Sequence, residues 1–125
     1  MEVVIELMQQ YTDIPIRRAS LPATNGIAFE KATSDTVTTC LDRSTLEELP
    51  CVLNCKHADM HEALRTLDRL HMKLTRLPAY PKNERWQIYS IETISGPAQI
   101  GREPGGQWLI GSSLRIKVYN KESAF

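Results

Sequence analysis

Two stretches of this chain repeat their apolar residues every three or four positions, and several shorter ones alternate them every second position, so the pattern predicts two helices set among strands. Val3, Val4, Leu7, Met8 and Tyr11 form the stripe of a short first helix. It ends near Tyr11, because Asp13 is followed by Ile14-Pro15 and the residue before a proline avoids helical angles. In the longer second helix Met60, Ala63, Leu64, Leu67, Leu70, His71, Leu74 and Leu77 share one stripe, with Arg65, Arg69, Lys73 and Arg76 roughly opposite. Asp59 followed by Glu62 predicts its start in the manner of a capping box, and Pro78 its stop.

Between the helices, Ile14 and Ile16 suggest a short strand, Pro22 to Gly26 a turn, and Ile27 to Thr33 a strand with Ile27 and Phe29 on one face. "DTVTTCLD" is rich in β-branched residues and reads as a further strand, and "RSTLEEL" as a loop or a turn of helix. "PCVLNCK" alternates Cys51, Leu53 and Cys55 against Val52, Asn54 and Lys56, as a strand with one buried face does. After the second helix, "WQIYSIETIS" alternates with neither face purely apolar, whereas Leu114, Ile116 and Val118 alternate cleanly with Arg115, Lys117 and Tyr119. "SGPAQIGREPGG" separates these two strands, either as a wide hairpin or as a short irregular strand between them.

This order predicts an α+β domain: a mainly antiparallel or mixed sheet, covered on one face by a short N-terminal helix and a longer central helix. With 125 residues, 42% hydrophobic and 24% charged, residues 1–125 read as a single domain that folds throughout. Fifteen basic residues balance fifteen acidic ones, so any nucleic-acid contact must be local. No apolar run reaches the ~20 residues of a membrane span, and Glu2 and Glu6 stand where a signal peptide carries Lys or Arg, which predicts a soluble protein made in a cytoplasm. Three cysteines, Cys40, Cys51 and Cys55, read as reduced thiols rather than a disulfide framework.

Candidate chemistry is sparse. Cys51, Cys55, His57 and His61 carry zinc-ligand atoms, but two cysteines four apart on a strand hold their sulfurs more than ~10 Å apart, and ligands must converge to ~2.3 Å from one ion. Cys40 and the serines lack a recognisable partner spacing for nucleophilic catalysis. "GREPGG" lacks the order of a phosphate loop and is followed by a strand, not a helix. Arg65, Arg69, Lys73 and Arg76 could follow a DNA backbone through phosphate contacts or simply form a solvated face. The expectation is a chain with no catalytic, cofactor or metal site.

From Pro50 to about Lys121 the strand "CVLNCK", the helix "HADMHEALRTLDRLHMKL", the strand "WQIYSIE" and the segment "SGPAQIGREPGGQWLIGSSLRIKVY" together resemble the bacteriophage tail terminator family, also described as minor capsid or tail-completion proteins of long-tailed phages and prophages. Pro97, Ile100, Gly101, Arg102, Glu103 and Gly106 match that family's turn before the closing strand. Gly105-Gly106 departs from it, since the family more often has a polar residue before a single glycine.

The resemblance implies a structural virion protein with no enzymatic activity, assembled in a bacterial cytoplasm into a homohexameric ring at the head-proximal end of the tail. Such a ring stops polymerisation of the major tail tube protein and docks on the head-tail connector protein. Genomic DNA passes through its bore without sequence-specific binding, and no membrane is involved. On that reading the segment with Gly96, Pro97, Gly101, Arg102, Glu103, Gly106 and Trp108 meets a neighbouring subunit or the tube, with Trp108 and Arg102 as anchors. The alternatives are a head-completion or connector protein of the same neck region and, from a different class, a small metal- or thiol-dependent enzyme.

Overall fold

The computed structural model of the chain describes residues 2–18, 25–31, 36–39, 45–82 and 84–120. Most of the expected turn from Pro22, Cys40, and the residues after Asn120 lie outside the described residues. Two helices and six strands follow in the order α1 (Glu2–Gln9), β1 (Ile16–Arg18), β2 (Gly26–Lys31), β3 (Thr36–Thr39), β4 (Thr45–His57), α2 (Met60–Thr75), β5 (Trp86–Arg102) and β6 (Trp108–Asn120). One mixed sheet runs β1-β2-β4-β6-β5, antiparallel except for the parallel pair β1 and β2, and α1 and α2 pack on it. The expected α+β architecture is the one observed.

β4 and β6 form the spine, registered without interruption from Thr45 opposite Asn120 to His57 opposite Trp108. Alternation then assigns the faces. Cys51, Leu53 and Cys55 of β4 and Ile110, Leu114 and Ile116 of β6 are fully buried with Leu67, Leu70 and Leu74 of α2 and Val4 and Met8 of α1. Their neighbours of opposite parity, such as Val52, Asn54, Ser113 and Arg115, lie on the other face and stay partly exposed.

The segment "RSTLEEL" does not end as a loop or a helical turn before Pro50. The described part of it, from Thr45, is already strand, and β4 runs straight through the proline. Topology permits this. β3 covers the outer edge of β4 from Thr45 to Glu48 and β2 covers it from Cys51 to Lys56, so Pro50 falls between them, where no described strand is registered on that side.

Helix α2 starts where Asp59 is expected to cap it: the Asp59 carboxylate accepts from the His61 and Glu62 backbone N–H groups. The box is not closed by Glu62, which pairs with Arg65. Instead the Asp59 N–H donates to His57 Nδ1 at 2.9 Å. At the other end the Arg76 N–H donates to the Lys73 carbonyl, and the Tyr80 hydroxyl donates to the Leu74 carbonyl.

His71 sits in the buried stripe of α2 at 5% exposure, with Nδ1 2.8 Å from the Thr93 hydroxyl and Nε2 without a hydrogen-bond partner. Burial lowers its pKa below 6.5, and the nearby Asp68 charge only partly opposes that. An unfolded chain therefore binds a proton at His71 more readily than the folded one. The stability contributed by a neutral His71 is complete above pH ~6.5 and declines as pH falls below it toward the lower folded value. Urea midpoints measured from pH 7.5 down to 5 are expected to fall, and His71→Phe is expected to flatten the decline.

Candidate functional site

The segment from Ser95 to Gly106 is neither a wide hairpin nor a separate strand. β5 runs through it to Arg102, and the reversal is confined to residues 103–107. The Gly106 N–H donates to the Glu103 carbonyl at 2.9 Å and the Glu103 N–H donates to the Gln107 carbonyl at 2.8 Å, which closes a three-residue loop. Pro104 suits the first loop position, and Gly106, at φ +90°, is the residue that needs glycine. Gly105 has open space at its Cβ position and no such requirement, so the doubled glycine changes nothing essential in the turn.

β5 uses seventeen residues to span thirteen of β6. The four extra residues enter at four register shifts, between Ile88 and Ser90, Thr93 and Ser95, Ser95 and Ala98, and Gln99 and Gly101. Three of these shifts leave a single residue out of register: Tyr89, Ile94 and Ile100. Those three are also three of the four large apolar side chains that stand exposed among the described residues, at 42%, 46% and 64%. The fourth is Met72 on α2, at 52%. A bulge re-aims the inserted side chain, and here it does so with Tyr and Ile rather than with the charged residues that usually guard a sheet edge.

β5 is also the open edge of the sheet. Its start is covered, since the Ile88 N–H donates to the Pro81 carbonyl and Lys82 bridges Gln87. From Ser90 to Arg102 no described strand is registered on its outer side. The opposite edge is short and sealed from within: the Ile16 N–H of β1 donates to Gln9 Oε1, and Gln9 Nε2 donates to the Thr12 and Ile14 carbonyls.

The sequence-predicted interface residues divide in two. Gly96 is exposed and Pro97 half-buried at the widest bulge, and Gly101 stands with nothing within 4 Å of its Cβ position. Arg102, Glu103 and Trp108 are instead engaged within the chain. The Arg102 guanidinium lies over the Trp108 ring, 4.6 Å from its centroid, and Glu103 Oε2 is 2.6 Å from Lys56 Nζ. Tyr89, Ile94 and Ile100 escape a reading by period, because each one sits at a break in that period.

On the open face of the sheet, Lys117 Nζ lies 2.9 Å from Glu92 Oε1 and 3.7 Å from Glu48 Oε1, with Arg115 3.9 Å from Glu92 Oε2. The Lys117 hydrogen bond holds the Glu92 carboxyl below its ordinary pKa. The expected DNA-facing residues are all exposed, Arg65, Arg69 and Lys73 on α2 and Arg76 at its C-cap. Arg65 pairs with Glu62, and Lys73 Nζ is 5.9 Å from the Tyr11 ring centroid.

Cys51 and Cys55 belong to the core. Cys51 Sγ donates to the Leu49 carbonyl, and burial pushes the Cys55 thiol up to about 12, so it carries no thiolate at neutral pH. Among the described residues no three His, Cys, Asp or Glu side chains converge as the ligands of an ion do. Iodoacetamide at pH 8 is expected to leave Cys51 and Cys55 unmodified in the folded protein and to alkylate both in urea, as read by peptide mass mapping.

No protein-family model matches this chain, and no curated protein does. No helix among the described residues is long and apolar enough to cross a membrane.

Proposed function

We propose that this chain is a structural virion protein, a tail terminator subunit that assembles into a homohexameric ring on the head-proximal end of a long phage tail. The ring caps the major tail tube protein, stops its polymerisation and offers the docking face for the head-tail connector protein, while DNA passes through the bore. The observation that carries this reading is the β5 edge: thirteen residues with no described strand registered outside them, bulged at Ile94 and Ile100, which stand exposed. Isolated exposed apolar residues are ordinary, but apolar residues at two bulges of one open edge suit a protein whose edge is covered in an assembly.

The turn motif supports the same reading. Gly106 supplies the positive φ, Glu103 ties the loop to Lys56 on β4, and Arg102 covers Trp108. These residues hold the hairpin in place, so their part in assembly is to position the edge. The exposed cations Arg65, Arg69, Lys73 and Arg76 fit a local, sequence-independent phosphate contact with passing DNA. A head-completion protein of the same neck would share every one of these features, and the two differ in what the protein does to tail length.

Tails assembled without this protein are expected to be abnormal in length, and tails assembled with it to end uniformly, as measured by electron microscopy. Uniform tails that fail to join heads in its absence would favour the head-completion role. Tails indistinguishable in length and attachment would remove the proposal.

A further inference from the structure

We propose that the hydrogen bond between His71 and Thr93 is a pH-sensitive latch, which holds residues 92–102 of β5 against α2 and opens when His71 takes up a proton.

The closed structure suits only the neutral ring. His71 Nδ1 lies 2.8 Å from the Thr93 hydroxyl, and Nε2 is buried with no hydrogen-bond partner. An unpaired buried N–H is tolerated less well than an unpaired acceptor, so the neutral ring keeps its proton on Nδ1, donates it to Thr93 and leaves Nε2 as a lone pair. Protonation puts a second, charged N–H at Nε2, where nothing accepts it.

The surrounding charges do not supply that acceptor. On α2, Asp68 favours the imidazolium, but burial outweighs it. Of the strands under α2, β6 turns only uncharged residues toward the helices, among them Ile110, Ser112, Leu114 and Ile116. β4 presents Leu49, Cys51, Leu53 and Cys55, with Glu47 beside Val3 and Val4 of α1 and His57 before the start of α2. On β5, Glu92 is held on the open face by Lys117 and Arg115, and Arg102 lies over Trp108. The Tyr80 hydroxyl is spent on the Leu74 carbonyl.

Packing decides which segment yields. α2 is fastened to the sheet by Leu67, Leu70 and Leu74, all fully buried. β5 adds Ile88 and Ile91 to that core, but none of its residues beyond Ile91 is buried. Three of its four register shifts fall within residues 92–102, and no described strand is registered outside them. Among the described residues, the Thr93 bond is the one hydrogen bond joining this stretch to α2. Such a stretch opens more easily than the core. Moving Thr93 aside lets water reach Nε2 while β4, β6 and α2 stay in place.

The sign follows from burial. In the open form the wetted ring holds a proton near its ordinary value of 6.5, and in the closed form burial lowers that value. Opening is therefore least above pH ~6.5 and grows as pH falls, by up to about tenfold per pH unit, until the closed form also binds the proton.

Native-state hydrogen exchange of the natural chain tests the latch, with rates corrected for the intrinsic effect of pH. The amides compared are those of residues 92–102 that bond to β6 and those of residues 51–56 in β4. From pH 7.5 to 5.5 the opening constant of residues 92–102 is expected to rise by up to about tenfold. It is expected to exceed that of residues 51–56 throughout and to ignore urea below the unfolding transition, since a local opening exposes little surface. Thr93→Val is expected to raise it roughly 2–10-fold at pH 7.5 without moving that of residues 51–56. His71→Asn, whose amide reaches toward Thr93 but does not titrate, is expected to abolish the rise. If residues 92–102 and 51–56 open together with one urea dependence, His71 acts on global unfolding alone and there is no latch. An opening constant indifferent to pH, or to Thr93→Val, or a rise that persists in His71→Asn, overturns the proposal equally. Should His71→Asn fail to fold, the natural chain and Thr93→Val decide the outcome.

Discussion

Replacing Phe29 by Ala is expected to lower the free energy of unfolding by ~3–5 kcal/mol. Phe29 is among the largest fully buried side chains and lies on β2, registered opposite Leu53 of β4. β2 has only six residues, and the strands on either side of it are β1, with three, and β4, so few neighbours can shift to fill a void. Single domains are stable by roughly 5–15 kcal/mol, so this substitution takes a large share of the total. Chemical denaturation of Phe29→Ala beside Ile100→Ala measures the contrast directly. The substitution at the exposed Ile100 is expected to change the free energy of unfolding by less than ~0.5 kcal/mol. A loss at Phe29 below ~1 kcal/mol would mean that the helices do not seal over β2.

The second large effect concerns the ion pair that anchors the hairpin. Lys56 is buried to 11% exposure of its side chain, and its ammonium is held by Glu103, whose own side chain is 38% exposed. Glu103→Ala leaves that ammonium buried with its partner gone and is expected to cost ~1.5–3 kcal/mol, toward the lower end because water reaches the site from the Glu103 side. Lys56→Met is expected to cost less than ~1 kcal/mol, since the stem stays buried, no charge needs hydration and the remaining carboxylate turns to solvent. The asymmetry is what distinguishes a desolvated lysine from an ordinary surface pair. Hydrogen exchange across residues 101–108 should also quicken in Glu103→Ala, because the pair ties that turn to β4. Equal losses in the two variants would refute the account.

Both helices, the strand around Cys51 to Cys55 and the closing strand were legible in the sequence, because each keeps an unbroken period against a single buried surface. The Asp59 cap and the stop at Pro78 were equally local. "WQIYSIETIS" was not, and the reason is specific. Ile88 and Ile91 are both buried, opposite Val118 and Ile116, although they differ by an odd number of positions. The bulge at Tyr89 changes parity between them, so a mixed-looking strand is in fact cleanly one-sided. The same effect takes Ile94 and Ile100 out of any regular period, whereas Arg102 and Trp108 were expected as anchors of the segment from residue type. Those two stack on each other.

The order of apolar and polar residues determined, by itself, which segments are helical or extended and which side of α2, β4 and β6 is buried, because these depend on interactions at fixed short spacing. Tertiary pairing alone decided that β4 crosses Pro50, since the described pairings of β3 and β2 stop on either side of a residue lacking an N–H. It alone decided, too, that four residues of β5 are surplus to β6, because a bulge is a mismatch between two strands and neither strand contains it separately.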